Sequence, residues 1–309
     1  MLLRKAVPVL ALALATVLAS PAAATAEPVP DTSTADAATD RSVLADTGPV
    51  GSDPVGSDPV GSGLAGSGPV GAAPDHGGAA GSADGLRALA GANPVIVVGG
   101  LSGFAAVYEP LAARLRADGY RVWIYPLPNL GLGDITTSAG SLRSFVGQVR
   151  ASTGAAKVDL VAHSEGGLVS RYYIKNLGGG DAVGRYVSLG TPQYGTYVAN
   201  IVAFLGLGSC AGVVACQQMT IGSPFLTALN AGDDTPGDVR WTTVRTRQDE
   251  LVRPVDNATL ADGATNVLIQ SRCPLRVVGH LGLVTDGTTY SVIRQALRDQ
   301  PVNPACLAL

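Results

Sequence analysis

A serine between an apolar run and a helical pattern is the first feature of this sequence that could do chemistry. It lies in VDLVAHSEGGLV, residues 158–169. A nucleophile elbow, G-x-S-x-G, needs small residues two places before and two places after the serine, because strand and helix approach closely there. Ala162 and Gly166 occupy these places, and Gly167 adds room. The pattern predicts that Ser164 stands on a sharp turn at the carboxyl end of a strand, where parallel sheets meet their ligands.

A serine hydroxyl needs a base before it becomes a good nucleophile. The chain has three histidines. His76 lies in a stretch rich in Pro and Gly, and His163 is adjacent to Ser164, where neighbouring side chains diverge. His280, in VVGHLGLVTD, is therefore the predicted base, and we expect His163 to have a structural or supporting role.

The third member of such a triad is an acid that lies between the serine and the histidine in the sequence. Asp249, Glu250 and Asp256 all follow the β-rich run WTTVRTR. We predict Asp249, because it comes first and the apolar residues after it can bury and fix the loop; the other two remain alternatives. The acid would hold the tautomer of His280 and stabilise its imidazolium.

The oxyanion of a tetrahedral intermediate needs backbone N–H donors, one just after the nucleophile and one from the loop after the first strand. These are predicted to be Glu165 and Leu101, the latter in VVGGLSGF, where Gly99 and Gly100 allow a tight turn. A glutamate so close to a nucleophile is unusual. We expect the positive end of the helix that Glu165 opens to stabilise its negative charge.

Six short β-rich runs alternate with helical patterns from Asn93 onward, which predicts parallel strands joined by crossover helices. The predicted strands are Pro94–Val98, Arg121–Tyr125, Val158–Ala162, Arg185–Leu189, Arg240–Thr246 and Asn266–Gln270. Three acidic residues before the fifth run, Asp233, Asp234 and Asp238, are interpreted as solvated loop charges.

Helical periodicity supports the crossovers between these strands. The clearest helix has apolar residues at i, i+3, i+4 and i+7, namely Leu142, Phe145, Val146 and Val149. An earlier helix precedes the stop signal Asp118-Gly119, and a later one follows Ser164 and ends at Gly178. The expected fold is α/β: a single twisted, mostly parallel sheet of about six strands with helices on both faces.

The composition divides the chain into three parts. Residues 1–26 have basic residues, an apolar run and a small-residue cleavage site, which is typical of a secretory signal peptide. Residues 27–85 carry a repeat of the type PVGSD and are predicted to be a disordered spacer rich in Pro, Gly and Ser. Residues 86–309 form the predicted catalytic domain. The net charge of −3 and the absence of Lys/Arg runs argue against nucleic-acid binding.

All four cysteines lie late in the chain, at Cys210, Cys216, Cys273 and Cys306. An even number in a secreted chain indicates disulfides, and sequence proximity favours Cys210 with Cys216 and Cys273 with Cys306 among the three possible pairings. The spacings do not match the close CxxC pairs of zinc sites. We therefore predict no metal, and no cofactor is needed for triad chemistry.

The segment 198–221 is apolar and Gly-rich and lies where an insertion would overhang the site. We predict that it is a wall contacted by the acyl chain of a substrate. A moving lid and a small disulfide-tied packing loop both remain open for this segment.

These motifs together resemble bacterial class 2 triacylglycerol lipases, which are secreted α/β-hydrolases of actinobacterial and Bacillus type. The matching stretches are AHSEGG at Ala162–Gly167, SLGTPQYGT at Ser188–Thr196, DELV from Asp249, and GHLGL at Gly279–Leu283. The resemblance covers about Asn93 to Asp299 and implies the α/β-hydrolase fold and lipid ester hydrolysis by Ser164, Asp249 and His280. The family often has His-Gly in the oxyanion loop, where this chain has Gly99-Gly100.

We therefore expect a secreted, extracellular, monomeric esterase or lipase that acts on triacylglycerols and shorter acyl esters and contacts lipid interfaces transiently. Aliphatic polyesters are a further hypothesis, which rests on secretion and on the apolar wall. Two alternatives remain. An acyltransferase or peptidase could use the same triad, because the triad does not fix the leaving group. A cell-envelope-associated binding protein would account for the repeats.

Overall fold

The computed structural model describes residues 92–308 of the chain. The predicted signal peptide (1–26) and spacer (27–85) lie outside the described residues, so both stay predictions. Within the described part, no helix is long and apolar enough to cross a membrane.

Six parallel strands form one sheet in the order β2-β1-β3-β4-β5-β6. The strands are β1 Val95–Val98, β2 Val122–Tyr125, β3 Val158–His163, β4 Val183–Leu189, β5 Arg240–Arg245 and β6 Thr265–Leu268. All six predicted strands are present. The last one ends before the predicted Gln270, because the chain turns directly into a short helix at Ile269.

Eight helices connect and cover the strands of residues 92–308. They are α1 Ala105–Ala117, α2 Ile135–Thr153, α3 Glu165–Asn176, α4 Val198–Leu205, α5 Val214–Gln218, α6 Pro224–Leu229, α7 Ile269–Arg272 and α8 Gly287–Leu297. The stop predicted at Asp118 is confirmed, and Gly178 takes a left-handed conformation just after α3.

The sheet is buried on both faces. Alternate residues of β1 point to opposite sides, so Ile96 packs with α2 and α3 while Val97 packs with α1 and α8. Every residue of β1 and of β3 is buried. The predicted two-sided α/β arrangement is confirmed, and it places the carboxyl ends of β3, β4, β5 and β6 along one edge.

A buried ion pair ties α3 to the loop before β5. The side chain of Arg171 is inaccessible to solvent and pairs with the carboxylate of Asp234, which also accepts bonds from the Tyr194 hydroxyl and from the Ala261 amide at 3.1 Å. The expectation of a solvated Asp234 is wrong, because a buried guanidinium needs a charged partner. Asp233 and Asp238 are exposed, as expected.

Both predicted disulfides are confirmed. Cys210 pairs with Cys216 inside the segment 198–221, and Cys273 pairs with Cys306, which attaches the loop before His280 to the chain end.

Candidate active site

Ser164 stands on a strained turn between β3 and α3. Its φ of 53° and ψ of −128° are unfavourable for a residue with a side chain. The turn requires close contact with the loop after β1, since a Cβ at Gly166 would lie 2.2 Å from the carbonyl oxygen of Gly99. The elbow geometry predicted from the spacing is therefore present, with Ser164 partly exposed at a pocket.

Between Gly99 and Gly103, the loop after β1 has one amide that donates to no acceptor in the described part of the chain. The N–H groups of Gly99, Gly100, Ser102 and Gly103 each donate to an oxygen of the protein. The N–H of Leu101 donates to no acceptor among residues 92–308, and Leu101 lines the pocket beside Ser164. Glu165 is the first residue of α3, so its N–H is one of the amides that a helix cannot satisfy internally.

Asp249 and His280 form a buried pair at the same pocket. The His280 Nδ1 lies 2.9 Å from Oδ2 of Asp249, and both side chains are about 1% exposed. Two backbone amides hold the carboxylate: those of Leu251 at 2.9 Å and Val252 at 2.7 Å donate to Oδ1. This arrangement directs the other ring nitrogen, Nε2, away from the acid. That Nε2 is buried and has no hydrogen-bond partner in the described part of the chain.

The two alternative acids do not contact the imidazole. Asp256 pairs with Arg245 at 3.1 Å, and its side chain is 84% exposed. Glu250 instead accepts a bond from the backbone N–H of His280 at 2.9 Å. Glu250 therefore anchors the backbone of the histidine, a contact that the sequence does not indicate.

Gly190, directly after β4, makes room for the acid–histidine pair. Its φ is +57°, and a Cβ there would lie 3.0 Å from Oδ2 of Asp249 and 3.1 Å from Nδ1 of His280. Sequence analysis did not single out this glycine. Its position at the end of a strand, next to a Thr-Pro turn, is the signal that could have indicated it.

His163, the residue before Ser164, contacts the backbone of His280 and the side chain of Tyr108. Its Nε2 lies 3.2 Å from the carbonyl oxygen of His280, and its Nδ1 lies 3.3 Å from the hydroxyl of Tyr108. Burial, together with the neighbouring His280, lowers the pKa of His163 to about 3, so its ring is neutral. The predicted supporting role agrees with these contacts. Tyr108 was missed because its spacing to Leu111 and Leu115 indicates only a core position.

The expectation that Glu165 is charged is wrong. Its side chain is inaccessible to solvent, and neither carboxyl oxygen has a hydrogen-bond partner among the described residues. Burial raises the pKa of Glu165 well above its ordinary value, which outweighs any stabilisation from the helix end. Burial therefore favours the protonated form of this carboxyl group.

The pocket in front of Ser164 is largely apolar. Its apolar lining residues are Leu101, Val107, Pro192, Ile201, Phe204, Met219, Leu251, Val252 and Leu281. Ile201, Phe204 and Met219 come from the segment 198–221, so the predicted wall does border the site. Whether this segment moves stays untested.

The sheet is a single parallel one, and it presents Ser164 on the turn after β3. An acid and a histidine follow later strands in the chain. Together these features define the α/β-hydrolase fold. Residues 92–286 match the family described as Lipase (class 2). The match spans well over half of the sequence, and the chain belongs to this family.

Two curated relatives are named triacylglycerol lipase. That of Pseudarthrobacter phenanthrenivorans is 36% identical over 48% of this chain and 50% of its own length. That of Burkholderia plantarii is 34% identical over 48% of this chain and 44% of its own. The chain thus spans about half the length of the curated relatives it matches.

Solved structures agree on the fold. Aspergillus fumigatus lipase B matches with a TM-score of 0.60 and 21% identity, over 70% of this chain and 54% of that one. A Bacillus licheniformis lipase in its mature form matches with a TM-score of 0.54 and 19% identity, over 67% of this chain and 93% of that one. At these identities the likeness establishes the α/β-hydrolase fold and nothing finer.

Proposed function

We propose that this chain hydrolyses carboxylic esters of lipids, including triacylglycerols and shorter acyl esters, through an acyl-enzyme on Ser164. One observation carries the proposal: His280 lines the same pocket as Ser164, its Nε2 has no hydrogen-bond partner among residues 92–308, and Asp249 holds the opposite ring nitrogen. A ring oriented in this way is ready to accept a proton. Family membership adds independent support.

The chemistry runs in two halves. Ser164 Oγ attacks the ester carbonyl as its proton passes to Nε2 of His280, and the imidazolium then protonates the leaving alcohol. Water next gives a proton to the same nitrogen while its oxygen attacks the acyl carbon, and Ser164 leaves with that proton. Asp249 orients the ring and stabilises its positive charge in both halves.

The N–H groups of Leu101 and Glu165 are the proposed oxyanion donors. The free amide of Leu101 beside Ser164 supports this choice, as does the position of Glu165 at the start of α3. Two such donors stabilise the negative charge that develops on the carbonyl oxygen only in the transition state.

The apolar pocket favours uncharged acyl groups over polar ones, and its rim suits a lipid surface. Leu281 lines the pocket and is 51% exposed, and the exposed Phe104 (58%) and Tyr197 (55%) directly follow the lining residues Gly103 and Thr196. Exposed apolar clusters of this kind mark interaction sites. We propose transient contact with a lipid interface by a monomer acting outside the cell, where the two disulfides would be stable. Aliphatic polyesters are a substrate class for the same opening.

The test is a panel of esters of increasing acyl length beside an amide and an alcohol acceptor, with Ser164→Ala as the control. The intact protein should cleave esters, leave the amide untouched and react stoichiometrically with an organophosphonate. Ser164→Ala should keep its fold and lose both reactions. Preferential cleavage of the amide would favour a peptidase. Transfer of the acyl group to the alcohol in place of hydrolysis would favour an acyltransferase. Phosphonate labelling that persists in Ser164→Ala would remove Ser164 from its role.

A further inference from the structure

Three buried contacts connect the loop after β1 to the backbone of His280. The amide of Gly100 donates to the Tyr108 hydroxyl at 2.7 Å. That hydroxyl lies 3.3 Å from Nδ1 of His163, and Nε2 of His163 lies 3.2 Å from the carbonyl oxygen of His280. All the side chains of this path are buried.

The chemistry of the end groups fixes the direction of every bond. A carbonyl oxygen only accepts, so Nε2 of His163 must carry the hydrogen. In a neutral imidazole the other nitrogen, Nδ1, is then an acceptor, so the Tyr108 hydroxyl must donate to it. The hydroxyl oxygen keeps a lone pair for the N–H of Gly100. One tautomer therefore satisfies the whole path, and the low pKa of His163, about 3, keeps that tautomer neutral.

We infer that Tyr108 and His163 are positioning residues for the ester hydrolysis proposed above. Their hydrogen-bond path holds the oxyanion loop and the catalytic histidine in one geometry. Gly100 directly precedes Leu101, the proposed oxyanion donor, and the other end of the path is the backbone of the base itself. His163 also directly precedes Ser164. The path thus reaches all three parts of the reaction centre without touching the substrate's reacting atoms.

This geometry matters because transition-state stabilisation depends on small distances. A misplacement of about 1 Å costs roughly a hundredfold in rate. Losing the path should let the loop after β1 and the His280 backbone shift independently. The loss should act mainly on kcat, since Tyr108→Phe keeps the aromatic ring that Tyr108 contributes to the lining of the pocket.

The first test is Tyr108→Phe, which removes the hydroxyl and keeps the ring in its apolar cluster with Leu111 and Leu115. We expect kcat per phosphonate-titrated serine to fall about tenfold to hundredfold, with KM within about twofold. The matched control is Tyr120→Phe, because Tyr120 is buried in the same cluster and lies outside the path. Its kcat should stay at the wild-type value.

Two substitutions of His163 separate the two links. Gln places a donor near the Nε2 position and so keeps the bond to His280, whereas Asn reaches only as far as Nδ1. His163→Gln should therefore recover part of the rate that His163→Asn loses. Combining Tyr108→Phe with His163→Asn should cost no more than the worse single change, because one broken link already interrupts the path.

Equal kcat per titrated serine in Tyr108→Phe and Tyr120→Phe would overturn the inference. So would a loss confined to thermal stability or to the titratable fraction, because the pair would then be purely structural. A measurement independent of activity separates this inference from the proposed function. Nitrogen NMR of the imidazoles should show His163 as the Nε2–H tautomer between about pH 5 and 8, even if no ester is cleaved. An Nδ1–H tautomer would contradict the path.

Discussion

The two sides of the pocket at Ser164 are held in place by different forces. On the polar side (Asp249, Glu250 and His280), side chains and backbone are fixed by hydrogen bonds to specific partners. On the apolar wall (residues 198–221), two short helices are held mainly by apolar packing and one disulfide, and Asn200 and Gln218 add hydrogen bonds to Leu251 and Asp134. Hydrogen bonds are directional and apolar contacts are not. The polar side can therefore fix the geometry of proton transfer, while the wall can accommodate acyl chains of different shape.

The largest effect should come from breaking the polar side at its centre. Asp249→Asn replaces the carboxylate that orients the His280 ring, and kcat should fall by about 10⁴, as for the acid of a serine protease. Glu250→Gln is the matched change next to it and keeps an oxygen for the His280 N–H. Its kcat should fall by less than about tenfold. Steady-state kinetics of both variants test the assignment of Asp249 as the acid. A larger loss of kcat in Glu250→Gln than in Asp249→Asn would contradict it.

One disulfide lies in each side of the pocket: Cys210–Cys216 in the apolar wall, and Cys273–Cys306 beside the loop that presents His280. Removing them one at a time compares how much each side depends on its disulfide for stability. Replacing Cys273 and Cys306 by Ser opens a loop with a sequence separation of 33. On the chain-entropy model this costs ~3.7 kcal/mol, against ~2.2 kcal/mol for the separation of 6 between Cys210 and Cys216. The first variant should also lose activity below its melting temperature, because the loop that presents His280 is released.

Thermal melts and activity should be recorded on the same samples of both double variants. We expect the Cys210→Ser, Cys216→Ser protein to keep its rate on a short ester up to its own melting point. An equal early loss of activity in both variants would mean that the wall is as critical as the polar side.

A change in the wall should alter the preference for acyl-chain length, and its free-energy effect should be smaller than that of opening a disulfide. Phe204 is half-buried and lines the pocket. Phe204→Ala should enlarge the acyl space and shift the ratio of kcat/KM for long and short esters by about 10- to 200-fold. Val198→Ala is the control, since Val198 is 43% exposed on the same helix and does not line the pocket. An unchanged ratio in Phe204→Ala would show that the acyl chain does not contact this part of the wall.

The smallest effect concerns Glu165, which is buried without a hydrogen-bond partner in the described chain. Burial raises its pKa well above the ordinary value. As the pH rises above the ordinary value, the unfolded chain ionises and the folded one stays protonated, so stability falls. Glu165→Gln removes this penalty. It should melt at a higher temperature than the wild type at pH 8 and at the same temperature at pH 4.

Melting curves across this pH range test the assignment. Burial raises the pKa of the nearby Tyr108 above its ordinary value, so Tyr108 stays protonated across this range and does not add to the pH dependence. A stability difference that is constant with pH would show that Glu165 is already ionised in the folded protein.

Local pattern was enough to predict the strands and the elbow, and the order of a triad along the chain was enough to predict the Asp249–His280 pair. Each strand is a compact β-rich run, and the small residues around Ser164 follow from the close approach that an elbow requires. The choice of Asp249 used only chain order and the apolar residues after it. The strands and the elbow depend on neighbours in the sequence, whereas the Asp249–His280 pair joins positions 31 apart and was found from the rule that the acid lies between the serine and the histidine.

The features that were missed depend on contacts between distant segments. Asp234 meets Arg171 across 63 residues, and Glu250 meets the His280 backbone across 30. Glu165 was expected to be charged because only its helix was visible in the sequence, whereas its desolvation depends on the loop that carries Gly131. The path through Tyr108 joins α1 to β3, 55 residues apart.

The sheet order has a consequence for how the molecule assembles. Ser164 follows β3, which lies between β1 and β4, and its amide donates to the carbonyl oxygen of Leu189 at 2.9 Å. Asp249 and His280 follow β5 and β6, at the opposite end of the strand order. The nucleophile and its two partners therefore come from different halves of the sheet. The return of phosphonate reactivity on refolding would report that the two halves have joined.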